Sequence, residues 1–315
     1  MFMKTMLHPC RRAGAAAALV LWSAAACVPP GDPTEPALSA PVELGRARLL
    51  YERADGVYLC VPGERRSDRI AEGGSRPEWS PDGTSVVFLR GDDVTVLTLA
   101  DRTERVVARG PALRAAMFHP GGREIWFIDG HSVRAVDPAG GGARVILSGT
   151  DFREMDIAPD GAFVAVTVKR RIGYQVERHD PASGTRISIG RGCSASVSPD
   201  GRFITVNAGD HRRLSLRDSR TGREARSVPA PPGMSFDNQR WSNHPDWIVS
   251  IREGERRPVL LHRVSDGRSW RITAHDDCDR PALFVEPAQA EGFTPAGCAR
   301  GKARTATATP RISAR

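Results

Sequence analysis

The chain has 315 residues, 40% of them hydrophobic, with 31 Gly and 24 Pro; this length accommodates a large core, and so many turn-formers argue against long helices. Its formal charge of +8 sits at the ends: Lys4, Arg11 and Arg12 precede residue 27, and Arg300, Lys302, Arg304, Arg311 and Arg315 close the chain, with no acid in either stretch. Setting those eight aside leaves 37 basic against 37 acidic residues, so the body lacks the excess a phosphate-tracking groove needs, and no nucleic-acid partner is expected.

Residues 1–26 read as an export signal: the three cations, an apolar run over 13–22 and the small residues Ser23, Ala24, Ala25 and Ala26. An apolar run this short, followed at once by Pro29 and Pro30, is not expected to persist as a spanning helix. Ala24-Ala25-Ala26-Cys27 resembles a bacterial lipobox, with Ala24 where Leu is usual. The resemblance implies diacylglycerol on Cys27 and an exported protein, periplasmic or at the cell surface, held to a membrane by that lipid. The same residues satisfy an ordinary Ala-x-Ala cleavage site, which leaves Cys27 a plain cysteine. With Cys10 removed and Cys27 set aside, an even four remain, Cys60, Cys193, Cys278 and Cys298, enough for up to two disulfides in an oxidising compartment. Cys278 and Cys298 flank the end of the repeats described next and form the preferred pair; Cys60 and Cys193 lie in apolar, strand-like contexts and read as buried thiols.

Residues 27–42 contain five prolines between 28 and 41 and suit an extended tether. The folded unit is expected over 43–298. The tail, 299–315, has no aromatic residue and is expected to be a disordered basic segment.

Within the folded unit a turn recurs: Trp79-Ser80-Pro81-Asp82-Gly83, Phe118-His119-Pro120-Gly121-Gly122, Ile157-Ala158-Pro159-Asp160-Gly161, Val197-Ser198-Pro199-Asp200-Gly201 and an altered Trp241-Ser242-Asn243-His244-Pro245. Successive prolines stand 39, 39, 40 and 46 residues apart, the last interval stretched by an insertion at 229–233. Pro presets the first corner, Asp bonds its own backbone and Gly accepts positive φ, so each copy predicts a tight turn. Each is followed by a short apolar run (86–89, 125–128, 163–166, 203–206, 247–249), then a third strand (94–97, 133–136, 174–178, 214–216, 259–264), a second turn and a fourth strand such as 145–147, 187–189 or 270–272. Polar alternation is weak, as in strands buried on both faces. Four short strands per ~40 residues predict one blade of a β-propeller.

These units resemble the PD40, or TolB-like, β-propeller repeat, whose pattern is Trp-Ser-Pro-Asp-Gly followed by an apolar strand; the resemblance covers most of 43–286 and is strongest at 79–83 and 197–201. The N-terminal unit (47–51, 57–60, 67–70) lacks a first strand. Asp279-Arg280-Pro281-Ala282-Leu283-Phe284 is similar to Ser75-Arg76-Pro77-Glu78-Trp79, so the C-terminal segment is expected to return and close the first blade, removing two exposed sheet edges. The expected fold is an all-β, six-bladed propeller, with five or seven blades the alternatives.

No catalytic motif emerges. Gly192-Cys193-Ser194-Ala195-Ser196 lacks the last Gly of a nucleophile elbow and reads as a strand start. His275-Asp276-Asp277-Cys278-Asp279 has ligating side chains without metal-site spacing and reads as a solvated loop before the closing strand. No cofactor or metal is expected. The irregular repeat collects polar groups, so Asp237, Asn238, Asn243 and His244 are the candidate binding residues, with a variant turn and a half-exposed His244 as the plainer alternative. The TolB-like resemblance implies a non-enzymatic scaffold presenting its surface to a protein partner in the cell envelope. A hydrolase or lyase acting on peptide or glycan at the propeller centre, and a small-ligand sensor, are the alternatives.

Overall fold

The computed structural model describes residues 36–149 and 151–287, and these form six four-stranded antiparallel sheets. In chain order the sheets are blade 1 (47–72), blade 2 (75–109), blade 3 (113–148), blade 4 (152–191), blade 5 (193–229) and blade 6 (236–271). Blade 1 takes its innermost strand from the other end of the chain: Asp279–Val285 pairs with Ala47–Arg53, setting Leu283 opposite Leu49 and Phe284 opposite Arg48. The six innermost strands are Asp279–Val285, Ser75–Trp79, Leu113–Phe118, Phe152–Ile157, Cys193–Val197 and Phe236–Trp241, and each touches the next in a closed ring. The molecule is the six-bladed propeller expected from the repeat, closed by the C-terminal strand.

The packing explains why the strands lack a clean alternation. Core side chains fall into six clusters, one in each space between neighbouring blades: Leu50, Val57, Val86 and Phe88 join blades 1 and 2, while Leu49, Tyr51, Trp247 and Leu261 join blades 6 and 1. A middle strand therefore buries both faces, as Ser85–Arg90 does with Val86, Val87, Phe88 and Leu89 all covered. The outermost strands are polar, and Glu224–Pro229 buries only Val228, which leaves an edge of charged side chains unfavourable for pairing with another sheet.

The Ser-Pro-Asp-Gly turns use all their residues. In each regular copy the glycine N–H donates to the carbonyl of the residue before proline, at 2.7–2.9 Å, and Gly83, Gly122, Gly161 and Gly201 hold φ of 68–72°, where a Cβ is strained. At 80–85 and again at 198–203 the serine hydroxyl donates to the aspartate carboxylate at 2.6 Å and accepts the strand-opening N–H at 2.9 Å.

Residues 38–40 lie against the outer edge of blade 6, where Leu38 bridges Arg271 and the Ser39 N–H donates to the Arg271 carbonyl at 3.0 Å. The blade's last strand, Ser269–Arg271, is too short to cover that edge itself. A 3-10 turn over Val42–Leu44 then plants Leu44 in the cluster between blades 6 and 1. The C-terminal end of the expected tether is thus bound to the propeller; the rest of it, the export signal with Cys27, and the tail lie outside the described residues.

Candidate functional site

A propeller brings its innermost strands around one axis, so side chains distant in sequence meet in a central channel. Here each innermost strand carries a register shift against its neighbour, and four place a non-glycine residue at positive φ at the same point: Arg76 (52°), Ser194 (54°), Asn238 (50°) and Arg280 (46°). Such bulges re-aim side chains. Arg76, Ser194, Asn238 and Arg280, together with Glu154, line the channel wall.

Two charged layers fill the narrow part. In the first, Arg280 meets Glu154 at 2.6 Å, and the other Glu154 oxygen accepts the Ser194 N–H at 2.7 Å. In the second, Arg240 bridges Glu78 at 2.9 Å and Asp156 at 3.3 Å, while Asp156 also accepts from the Ser196 hydroxyl and the Val197 N–H. Burial pushes the Glu78 carboxyl up to about 8 against the pull of Arg240, and Asp156 adds to the rise. For Arg240, burial works against the charge, but Asp156 and Glu78 outweigh it and hold the guanidinium above its usual range. The Arg240 guanidinium thus has Asp156 as its charged partner, with Glu78, kept largely protonated near neutral pH by burial, bonded on its other side. Free space here is about 50 Å³, room for water rather than substrate.

The channel opens at both ends. On the turn side, Pro81, Pro120, Pro159 and Pro199 rim a depression of about 320 Å³ whose walls include Trp79, Phe118, Trp241 and Phe284. Trp79 Nε1 donates to the Ala282 carbonyl at 2.9 Å, whereas Trp241 Nε1 is buried and has no partner among the described residues. On the opposite side a mouth of about 280 Å³ is lined by Arg76, Arg114, Arg153 and Arg280, with Glu154, Asp237, Cys193 and His211.

The four candidate residues divide between the two ends. Asp237 and Asn238 line the arginine mouth; burial raises the Asp237 carboxyl, and Asn238 Nδ2 donates to Asp279. Asn243 lies at the turn-side depression, where it clamps the closing strand: its Nδ2 donates to the Val285 carbonyl at 2.8 Å and its Oδ1 accepts the Val285 N–H at 2.7 Å. His244 is exposed and shapes the variant turn, its N–H donating to Ser242 Oγ at 3.0 Å and its Nδ1 accepting the Asp246 N–H at 3.2 Å. The channel arginines and Glu154 were not among the candidates. The signal for two of them was present, because Arg-Pro opens both Ser75–Trp79 and Asp279–Val285.

Residues 275–279 are an ion-paired clasp across the closure. Asp277 meets Arg53 at 2.9 Å, Asp276 meets Arg256 and Arg271 at 2.9 and 2.8 Å, and Asp279 meets Arg257 at 3.3 Å. Among the described residues no group of three His, Cys, Asp or Glu could hold a metal. Cys60 and Cys278 are buried in the cluster between blades 6 and 1, and Cys298 lies outside the described residues. Cys193 sits in the arginine mouth with Sγ 3.9 Å from His211 Nε2, and His211 Nδ1 is 3.2 Å from Glu253 Oε2. Burial, reinforced by Glu154, pushes the Cys193 thiol up to about 12, far from the thiolate a nucleophile needs at neutral pH.

No family model matches the chain, and no curated protein matches it in sequence. Among solved structures it is similar to TolB from Acinetobacter baumannii, with TM-score 0.64 and 17% identity over 77% of this chain and 67% of that one. It is similar also to the putative TolB from Agrobacterium tumefaciens, with TM-score 0.58 and 15% identity over 77% and 99%. A chain of a nidogen/laminin complex gives TM-score 0.63 and 10% identity over 75% and 98%. The likeness is one of fold: the chain has the architecture of the TolB-type propellers.

Proposed function

We propose that this TolB-type propeller is a non-enzymatic binding protein of the cell envelope that docks a protein partner on its turn side. The observation that carries the reading is the depression rimmed by Pro81, Pro120, Pro159 and Pro199, with aromatic walls. Aromatic side chains ringed by proline turns suit an extended protein segment that brings an apolar side chain. Turns closed by their own hydrogen bonds hold this rim rigid, so little ordering opposes binding. Export and attachment through lipid on Cys27 belong to the same proposal and rest on the sequence.

Two features weigh against the alternatives. A sensor pocket for a small apolar ligand needs an enclosed, uncharged space, whereas the narrow channel is charged and the turn-side depression lies open to solvent. A hydrolase has one arrangement in its favour, Cys193–His211–Glu253, but the thiol's high pKa makes it a poor nucleophile.

The test is site-specific photo-crosslinking of the full chain in its own envelope, with the reactive group at position 159 or 199 on the turn side or at 145 on the outer edge. Crosslinks to one protein from 159 and 199, absent from 145 and several-fold weaker with Phe118→Ala, which shortens a partly buried wall of the depression, are expected. Equal crosslinking from the outer edge, or indifference to Phe118→Ala, overturns the docking site. Labelling with radioactive palmitate, using Cys27→Ser as control, tests the anchor; an unlabelled wild type refutes it.

A further inference from the structure

The mouth opposite the turns is built for something else. Four guanidiniums line it, Arg76, Arg114, Arg153 and Arg280, against the carboxyls of Glu154 and Asp237. Arg280 is answered by Glu154. Arg114 and Arg153 share Asp151, at 3.6 and 2.7 Å, and this leaves the buried Nε–H of each without a partner among the described residues.

Arg76 stands apart. The carboxylates near its side chain attract the charge without contacting it: Glu154 is bonded by Arg280 and the Ser194 N–H, Glu52 by the backbone N–H of Arg76, and Asp279 by Asn238 and Arg257. No ion pair or side-chain hydrogen bond is found for the Arg76 guanidinium among the described residues, although it is half buried. Burial, and after it the like charge of Arg280, push that guanidinium below its usual range. A half-buried cation beside another, with buried N–H donors next to both, is costly unless an anion joins them.

We infer that the arginine mouth is a binding site for a compact anion bearing carboxylate or phosphate groups, held in forked contacts by Arg76 with Arg114 and Arg153. Guanidinium geometry matches both chemistries, and the space of about 280 Å³ admits a small molecule. The site lies at the end of the channel away from the proposed protein-docking rim, and it stands whether or not that reading does.

The experiment is calorimetric titration of the full chain with inorganic phosphate and, separately, with succinate, sodium chloride holding ionic strength constant, and thermal unfolding in the same solutions. Saturable binding of at least one probe is expected, with a raised unfolding midpoint that chloride alone does not give. Arg76→Gln should weaken that binding at least tenfold without lowering the ligand-free midpoint, because it breaks no ion pair and removes an unpaired charge; Arg114→Gln gives a second reading from the other side of the mouth. Arg66→Gln, at an exposed ion pair away from the mouth, should bind as wild type. Phosphate alone binding identifies a phosphate site and succinate alone a carboxylate site. Saturation by neither probe, or undiminished binding in both mouth variants, overturns the inference.

Discussion

Phe284 tests whether the closing strand holds the ring energetically. Its ring is 5% exposed, lies 5.6 Å from the Trp79 ring, and has the Arg48 guanidinium 5.4 Å from its centre. Packing is tight enough that a Cβ on Gly83 would come within 2.6 Å of it. Phe284→Ala therefore opens a cavity bounded by a turn that its own hydrogen bonds hold fixed, so little collapse relieves it. Truncations of this kind cost ~3–5 kcal/mol, and at ~2–4 °C per kcal/mol for a domain of this size the midpoint should fall by about 6–20 °C. Arg48 could swing inward and bring the loss toward the lower end. Differential scanning calorimetry of Phe284→Ala beside Val42→Ala, which alters a side chain 90% exposed, measures it. A fall below about 2 °C, within surface-substitution range, would refute the view that this strand is integral to the fold.

Further outcomes follow from other buried groups. His262 is fully buried between the hydroxyls of Ser250 and Ser269, and burial lowers its pKa from 6.5 to about 3. The unfolded chain then binds one proton more than the folded chain between those values, so stability should fall as pH drops from about 6.5 toward about 3, by up to ~4 kcal/mol; urea unfolding of His262→Gln should show a flatter pH profile, and an unchanged profile would count against the assignment. Asn243→Ala removes two hydrogen bonds to Val285 and should cost ~1–3 kcal/mol, read as an earlier denaturation midpoint; no change would mean the clamp is energetically silent. In the native protein Cys60 and Cys278 should resist alkylation, while Cys193 should react slowly with a rate still rising above pH 9; a Cys193 rate that levels off near pH 7 would reverse the reading and favour the hydrolase alternative.

The candidate site was only half legible beforehand, for a physical reason. Asn243 and His244 break the repeat, and the fold gives Asn243 a clamp on the closing strand and His244 a place in the variant turn. A departure from a scaffold motif marks local irregularity, which need not be chemistry. Arg76, Arg240, Arg280 and Glu154 lie in innermost strands on four different blades, and no short motif joins them. Cys193 and His211 meet within blade 5, and Glu253 reaches His211 only because blade 6 stacks beside it.

What the amino-acid order determined alone was local and periodic. Pro, Asp and Gly at fixed spacing dictate turns, the apolar runs between them dictate strands buried on both faces, and the likeness of 279–284 to 75–79 dictated how the ring closes. These rest on backbone torsions and side-chain size, which each residue carries with it. The charged layers of the channel, the unpartnered Trp241 donor and the unanswered Arg76 were decided only by closing six blades around one axis. Electrostatic partners are set by distance in space, and the ring brings together residues as far apart in sequence as Glu154 and Arg280.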